Sequence, residues 1–312
     1  MKNLKRYLRR LVVKLVSLYQ INNGDFPEYD MFDYWRENGF YLIPNNYYQP
    51  IPNASEIAPS HFRKKFEMVG VDMSEKFQLE MLEKFRKFKK EYRLFEKIDK
   101  RGDDQTDSQF YFNNLAFDGV DALVYYCMIR LLRPRKVVEV GSGWSTKVAA
   151  QASVINKDTQ LISIEPYPQP ILDVGFPGLS KLIKKKIEEV PLDFFDVLRA
   201  GDVLFIDSTH TVKIAGDVNY LFLEVLPRLK KGVYVHIHDI FFPRDYPRQW
   251  VMDMHRFWAE QYLLHAFLLF NDAFKIVYAN SYMCDKYPEK VKNVFPNSPS
   301  LGGGSIWLKK IK

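Results

Sequence analysis

The strongest constraint on this chain is a rhythm that begins near residue 118. A helical stretch, Gly119–Leu132, stops ahead of Pro134. A short apolar run, Val137-Val138-Glu139-Val140, then enters Gly141-Ser142-Gly143, and a second helix is predicted from about Ser145. Apolar runs recur at Leu161–Glu165, Ile187–Val190, Val203–Asp207 and Val233–His238, with helices between most of them, best marked over 213–229. A helix near 250–270 and late strands at Ala273–Ala279 and Ser305–Lys310 complete the pattern. Short strands without a polar face need cover on both sides, so the chain is expected to build an α/β fold on a mostly parallel sheet.

Upstream the pattern differs. Residues 3–19 place Leu4, Leu8, Leu11, Val12, Leu15 and Leu18 at helical spacing among Lys and Arg, which predicts a basic amphipathic helix. Such a helix either lies on an anionic membrane surface or docks on protein, and the sequence leaves both open. Residues 21–70 show no sustained period, and Pro44, Pro50, Pro52 and Pro59 interrupt any helix. One long helix is expected over 73–99, with Phe77, Met81, Phe85, Phe88, Tyr92 and Phe95 as its packing stripe. Residues 101–108 are a polar break, and their Arg-Gly-Asp triplet reads as loop. The expected organisation is a basic helix over 1–20, an irregular and helical cap over 21–117, and the α/β domain over 118–312.

Charge narrows the partners. The chain has 45 Lys and Arg against 38 Asp and Glu. Six of the basic residues fall in the first 24 positions, where no acid occurs, so the remainder carries 39 against 38. A basic nucleic-acid surface is therefore not expected. Cys127 and Cys284 are the only cysteines, too few for a disulfide framework or a cysteine-rich zinc site, and they read as reduced thiols. The apolar run Leu11–Leu18 is cut by Lys14 and is too short to span a bilayer. The expected location is the cytoplasm, including the inner face of the membrane. The oligomeric state stays open, a homo-oligomer included.

The residues that carry chemistry sit at strand ends. Gly141-Ser142-Gly143 can turn tightly and bring backbone close to a ligand, and the following helix offers free N–H groups. Ligands of open parallel sheets bind at this carboxyl edge. A dinucleotide fingerprint would want glycine at 146, where the chain has Thr146. Glu165 ends the second strand, 24 residues after Gly141, where a carboxylate can accept hydrogen bonds from both ribose hydroxyls. Together these features favour a nucleoside without phosphates.

With these residues in place, 118–309 resembles the class I S-adenosylmethionine-dependent methyltransferases, of the bacterial type found near glycan and natural-product pathways. The matching segments are Val138–Thr146, Ile164-Glu165-Pro166, Phe205-Ile206-Asp207-Ser208-Thr209-His210 and His236-Ile237-His238-Asp239-Ile240. The resemblance implies a Rossmann-like seven-stranded sheet in the order 3-2-1-4-5-7-6 with the last strand antiparallel, carrying an N-terminal helical extension. It implies S-adenosylmethionine as cofactor, with Glu139, Gly141, Gly143 and Ser145 at the methionine moiety, Glu165 at the ribose, Asp207 at the next strand tip, and the loop near Val190-Pro191-Leu192 beside the adenine. It implies O-methylation of a sugar, glycan or other hydroxylated small molecule. An NAD-type oxidoreductase and an inactive cofactor-binding scaffold are the alternatives; Thr146 disfavours the first.

Asp207, His210, His238 and Asp239 are expected to converge where the methyl donor would sit. A sugar hydroxyl is a poor nucleophile while protonated, so a neutral histidine serves as general base; His210 is the first candidate and His238 the second. In the competing expectation Asp207, Asp239 and His238 hold a divalent metal that lowers the hydroxyl's pKa. His238-Asp239 stands where related magnesium enzymes carry an Asp-Asn pair, and a histidine there suits Mn, Fe or Zn better than Mg. Downstream, the aromatics Trp250, Phe257, Trp258 and Tyr262 could roof the acceptor pocket, although helix packing explains Phe257 and Tyr262 equally well; Arg244 could meet an acidic acceptor group, but reads first as a solvated loop charge.

Overall fold

The computed structural model describes residues 7–8, 10–15, 32–41, 43, 45–93, 95, 108–114 and 116–312. The chain divides into two compact units, Met1–Pro59 and Ser60–Lys312. In the first, residues 7–8 and 10–15 are helical, with Leu8, Leu11, Val12 and Leu15 exposed. A short helix, Phe32–Glu37, follows. The rest of the expected 3–19 helix and residues 101–107 of the polar break lie outside the described residues. Among those described, no helix is long and apolar enough to cross a membrane.

The second unit is built on seven strands: β1 (Lys136–Val140), β2 (Gln160–Ile164), β3 (Leu179–Ile183), β4 (Val203–Ile206), β5 (Tyr234–His238), β6 (Phe274–Ala279) and β7 (Ser305–Lys310). They form one sheet in the order β3-β2-β1-β4-β5-β7-β6. β7 runs antiparallel to both its neighbours, and the pairs from β3 to β5 are parallel. This is the expected fold and order.

Alternation along each strand divides the core between two faces. Val137, Val203 and Phe205 join one cluster with the helices α2 (Gly119–Leu132) and α3 (Trp144–Asn156). Val138, Val140, Leu204 and Ile206 join the other, with the helical stretch α5 (217–228) and α6 (Glu260–Leu268). Further helices of the unit include α1 (Glu75–Phe85), α4 (Pro170–Val174), α7 (Asn280–Lys286) and α8 (Pro288–Val294). α2 is buried along most of its length because its sequence is apolar nearly all round. The chain leaves it through Arg133 in the left-handed region, just before Pro134.

Three expected elements differ. The third strand is Leu179–Ile183, whereas Ile187–Glu189, at the expected position, is a single 3₁₀ turn. β3 is the sheet's edge, only partly buried, so it lacks a continuous apolar run. Ile187 and Val190 are buried by packing beneath the strand tips, which mimics a strand in sequence. The long helix over 73–99 ends at Phe85; a 3₁₀ turn, Arg86–Phe88, and a short helix, Lys89–Tyr92, carry its stripe onward. Arg86, Lys87, Lys89 and Lys90 put like charges at helical spacing there, which weakens a continuous helix. The stripe still packs, since Met81, Phe85, Tyr92 and Phe95 are all buried. The helix near 250–270 is a π turn, Gln249–Asp253, an irregular segment over 254–259, and then α6.

Candidate active site

The turn after β1 is held by its neighbours on both sides. Gly141 N–H donates to Ile164 O at 3.0 Å, and Asp207 N–H donates to Val140 O at 2.9 Å. Gly141 adopts φ +80°, and a Cβ there would stand 1.7 Å from the Asp207 carbonyl oxygen, so only glycine lets β1 and β4 approach this closely. Glu165 accepts from Ser142 N–H at 3.2 Å and from Tyr167 N–H at 2.9 Å, which fixes its carboxylate between the first two strand tips. These tips open onto a cleft of about 400 Å³ lined by Gly141, Ile164, Glu165, Ile187, Asp207 and Thr209, among others.

Glu139, Gly143 and Ser145 do not line that cleft. Glu139 is fully buried beneath the turn and accepts from Thr146 Oγ1 at 2.6 Å and Ser163 Oγ at 3.0 Å. Thr146 Oγ1 in turn accepts from Gly143 N–H at 2.9 Å. Burial pushes the Glu139 carboxyl up to about 7, against the pull of the Thr146, Ser145 and Ser163 hydroxyls. These residues brace the turn from below. The border beyond Glu165 is Lys186, Ile187 and Glu188, a few residues before the expected Val190–Leu192.

At the tips of β4 and β5 four ionisable groups meet. His210 Nε2 lies 3.1 Å from Asp207 Oδ1 and 3.4 Å from Asp239 Oδ2, and Nδ1 lies 2.8 Å from Glu260 Oε2. His210 and Asp239 both have positive φ, 58° and 56°. Left-handed non-glycine residues cost stability and persist where the surroundings impose them. Here the His210 carbonyl accepts from the Ala259 and Glu260 N–H groups at 3.0 and 3.1 Å, and Ile240 N–H, just after Asp239, donates to Gly304 O at 3.0 Å.

Burial works against a charged His210, but its hydrogen bonds to Asp207 and Glu260 outweigh this and raise its pKa well above the ordinary histidine value. Burial likewise raises Asp239, to about 6, despite the nearby histidines. Asp207 is desolvated too, yet His238 and His210 hold it below the usual carboxylate range. The direction of these shifts favours a proton on His210, which differs from the neutral base expected from the sequence because three carboxylates surround the ring.

Residues 138–240, from the β1 run to just past Asp239, match a family model described as a methyltransferase domain. The chain belongs to the class I, S-adenosylmethionine-dependent methyltransferases. An uncharacterized protein of Archaeoglobus fulgidus is 31% identical over 172 residues, which cover 52% of this chain and 76% of the relative. Among solved structures, the O-methyltransferase TomG of Streptomyces achromogenes, involved in tomaymycin synthesis and bound to S-adenosylmethionine, is 16% identical with a TM-score of 0.37. The match covers 75% of this chain and 90% of TomG. An O-methyltransferase of Bacillus cereus bound to S-adenosylhomocysteine is 10% identical at a TM-score of 0.37, covering 75% and 91%. At these values the structural likenesses bear on neither acceptor nor mechanism.

In this methyltransferase the histidines divide their work. His236 is fully buried, with its ring parallel to Phe205 at 4.4 Å and against Trp307 at 4.9 Å. Burial and the neighbouring His238 push its pKa well below the ordinary value, so it is a neutral core ring. His238 lies against Phe117 at 4.8 Å, its Nε2 3.6 Å from Asp239 Oδ1. The compact donor set is therefore Asp207, His210 and Asp239, whose ligand atoms lie within 4.8 Å of one another; His238, expected in this set, stands beside it.

Glu260 was not expected. It is nearly fully buried, at the first turn of α6. An acid at a helix start is an ordinary sequence feature. Nothing local marks it as the partner of a histidine 50 positions earlier. Arg244 is engaged by Asp285 at 2.7 Å, so it is neither a free cation for an acidic acceptor group nor a solvated loop charge.

Proposed function

We propose that this enzyme methylates a hydroxyl of a sugar or comparable small molecule, with the adenosyl group in the Gly141–Glu165 cleft and the acceptor against the His210 cluster. The observation that carries this reading is the convergence of Asp207, His210, Asp239 and Glu260 at the strand tips beside that cleft. Methyl transfer to a thioether releases no proton, whereas a hydroxyl must lose a proton as it attacks. Asp207 reaches both regions: it lines the cleft and contacts His210 Nε2. The acceptor hydroxyl donates to Asp207 or to deprotonated His210, and Glu260 holds the imidazole with Nε2 facing the acceptor side. The sulfonium's positive charge disappears in the transfer, so in-line positioning in a dry site supplies much of the remaining rate.

A second reading is favoured by the spacing of the donors. Asp207, Asp239 and His210 offer two carboxylate oxygens and one imidazole nitrogen within 4.8 Å. This set fits a divalent cation that accepts mixed oxygen and nitrogen ligands. Bound there, a cation would supply the acidification of the acceptor hydroxyl. The chain's own contribution would then be to release the His210 proton and hold the donors through Glu260.

The test is formation of S-adenosylhomocysteine with a panel of sugars and phenols, with and without chelator. We expect His210→Ala to abolish turnover and leave S-adenosylhomocysteine binding intact. Turnover that survives His210→Ala in chelator would end both readings; turnover lost to chelator and restored by Mn or Mg would select the second.

A further inference from the structure

An aromatic wall rises from the end of β5 and returns to the cluster. Phe241, two residues after Asp239, packs against Trp250 at 5.1 Å, Trp250 against Trp258 at 5.2 Å, and Trp258 against the His210 ring at 4.3 Å. Arg256 lies over two members of this wall, its guanidinium carbon 4.8 Å from the Trp250 ring centre and 5.0 Å from that of Trp258. Its backbone N–H donates to Trp250 O at 2.9 Å, which closes the loop that carries it. The other arginines of this region are engaged, Arg244 by Asp285 and Arg248 by Asp253. Arg256 is exposed and makes no ion pair among the described residues.

From these observations we infer that Arg256, held by Trp250 and Trp258, is an anion subsite and that the acceptor carries a carboxylate or phosphate in addition to the hydroxyl that is methylated. This rests on the acceptor position proposed above and narrows its chemical class. The indoles hold the guanidinium by cation–π attraction, so less freedom is lost when its N–H donors engage an oxyanion. A guanidinium fork matches a carboxylate or phosphate with two parallel hydrogen bonds, which sets orientation as well as affinity. The Trp258 ring links the two points. The guanidinium carbon lies 5.0 Å from it and the His210 ring 4.3 Å from it, so the cation is no more than their sum, 9.3 Å, from the imidazole centre. A hexose with an exocyclic acid is long enough for any separation up to that bound, and in this proposal its hydroxyl sits at the cluster and its anion on Arg256.

The experiment titrates the full-length protein, saturated with S-adenosylhomocysteine, with glucuronate, glucose 6-phosphate and neutral methyl glucoside. Tryptophan fluorescence, to which Trp250 and Trp258 contribute two of the chain's five tryptophans, follows the titration, and calorimetry provides an independent measure. At least one anionic sugar is expected to bind more than tenfold more tightly than methyl glucoside. Arg256→Gln is expected to remove that preference while S-adenosylhomocysteine affinity stays constant, and Arg256→Lys to restore only part of it. Binding of glucuronate alone identifies a carboxylate, and binding of glucose 6-phosphate alone a phosphate. Equal or absent binding of all three sugars overturns the inference, as does an anion preference that survives Arg256→Gln. Failure of S-adenosylhomocysteine to bind would strike the cofactor assignment instead; the same titration of cofactor-free protein still reads the anion preference.

Discussion

Gly141→Ala is the most direct test of how the strand tips are assembled. The added Cβ would lie 1.7 Å from Asp207 O and 2.8 Å from Asp207 C. Both are backbone atoms, so no side-chain rotation relieves the overlap. Asp207 cannot simply retreat, because its N–H is bonded to Val140 O at 2.9 Å. The left-handed backbone alone costs alanine roughly 1–2 kcal/mol, and overpacking of a dense site adds about 1–3 kcal/mol. Together they predict a loss of about 2–5 kcal/mol, with melting lowered by roughly 4–20 °C in a domain of this size. Cofactor affinity should fall as well, because separating β1 from β4 moves Asp207 away from Glu165. Urea unfolding and calorimetry with S-adenosylhomocysteine measure the two effects. Gly302→Ala is the control, since nothing lies within 4 Å of its Cβ position. If Gly141→Ala unfolds within about 0.5 kcal/mol of wild type, the range of ordinary surface substitutions, and binds cofactor normally, the close β1–β4 approach is wrong.

Three further outcomes follow from the same geometry. Glu165→Ala removes the proposed ribose acceptor and should weaken S-adenosylhomocysteine binding roughly 10–100-fold, the worth of about one charge-assisted hydrogen bond; unchanged affinity would remove that assignment. Glu139 has a pKa raised by burial from 4.5 to about 7, so between those values the folded state holds a proton that the unfolded chain has released. Its contribution to stability therefore falls as pH rises through that window, by about 3 kcal/mol in all. Relative to wild type, cofactor-free Glu139→Gln should gain by that order between pH 4.5 and 7.5 in urea unfolding, and a flat difference would contradict the buried carboxyl. Glu260→Gln keeps the shape beside His210 but removes a charge, and should cut kcat by at least tenfold with cofactor affinity unchanged; a drop in cofactor affinity alone would make Glu260 merely structural.

Much of this site could be read locally. The apolar runs around 137–140, 161–164 and 203–206 reported strands buried on both faces, and each ended at the residue that matters: Gly141, Glu165 and Asp207. The pattern could do so because central parallel strands are covered from end to end, leaving polar residues only at their tips. The same rule misplaced the third strand. Leu179–Ile183 is an edge with a half-exposed face, while Ile187 and Val190 are buried without being strand. Apolar periodicity measures burial, and burial equals strand only inside the sheet.

The sequence by itself determined the sheet class, the glycine at the β1 turn and the acids and histidines available at the carboxyl edge, since these follow from periodicities a few residues long. Tertiary structure alone decided that Glu260 holds His210, that His236 is a core ring while His210 meets three acids, that Glu139 braces the turn, and that Arg256 makes no ion pair among the described residues whereas Arg244 does. Each of those outcomes depends on which distant group arrives at a given side chain and on how much water the packing excludes. Neither is encoded in a residue's immediate neighbours.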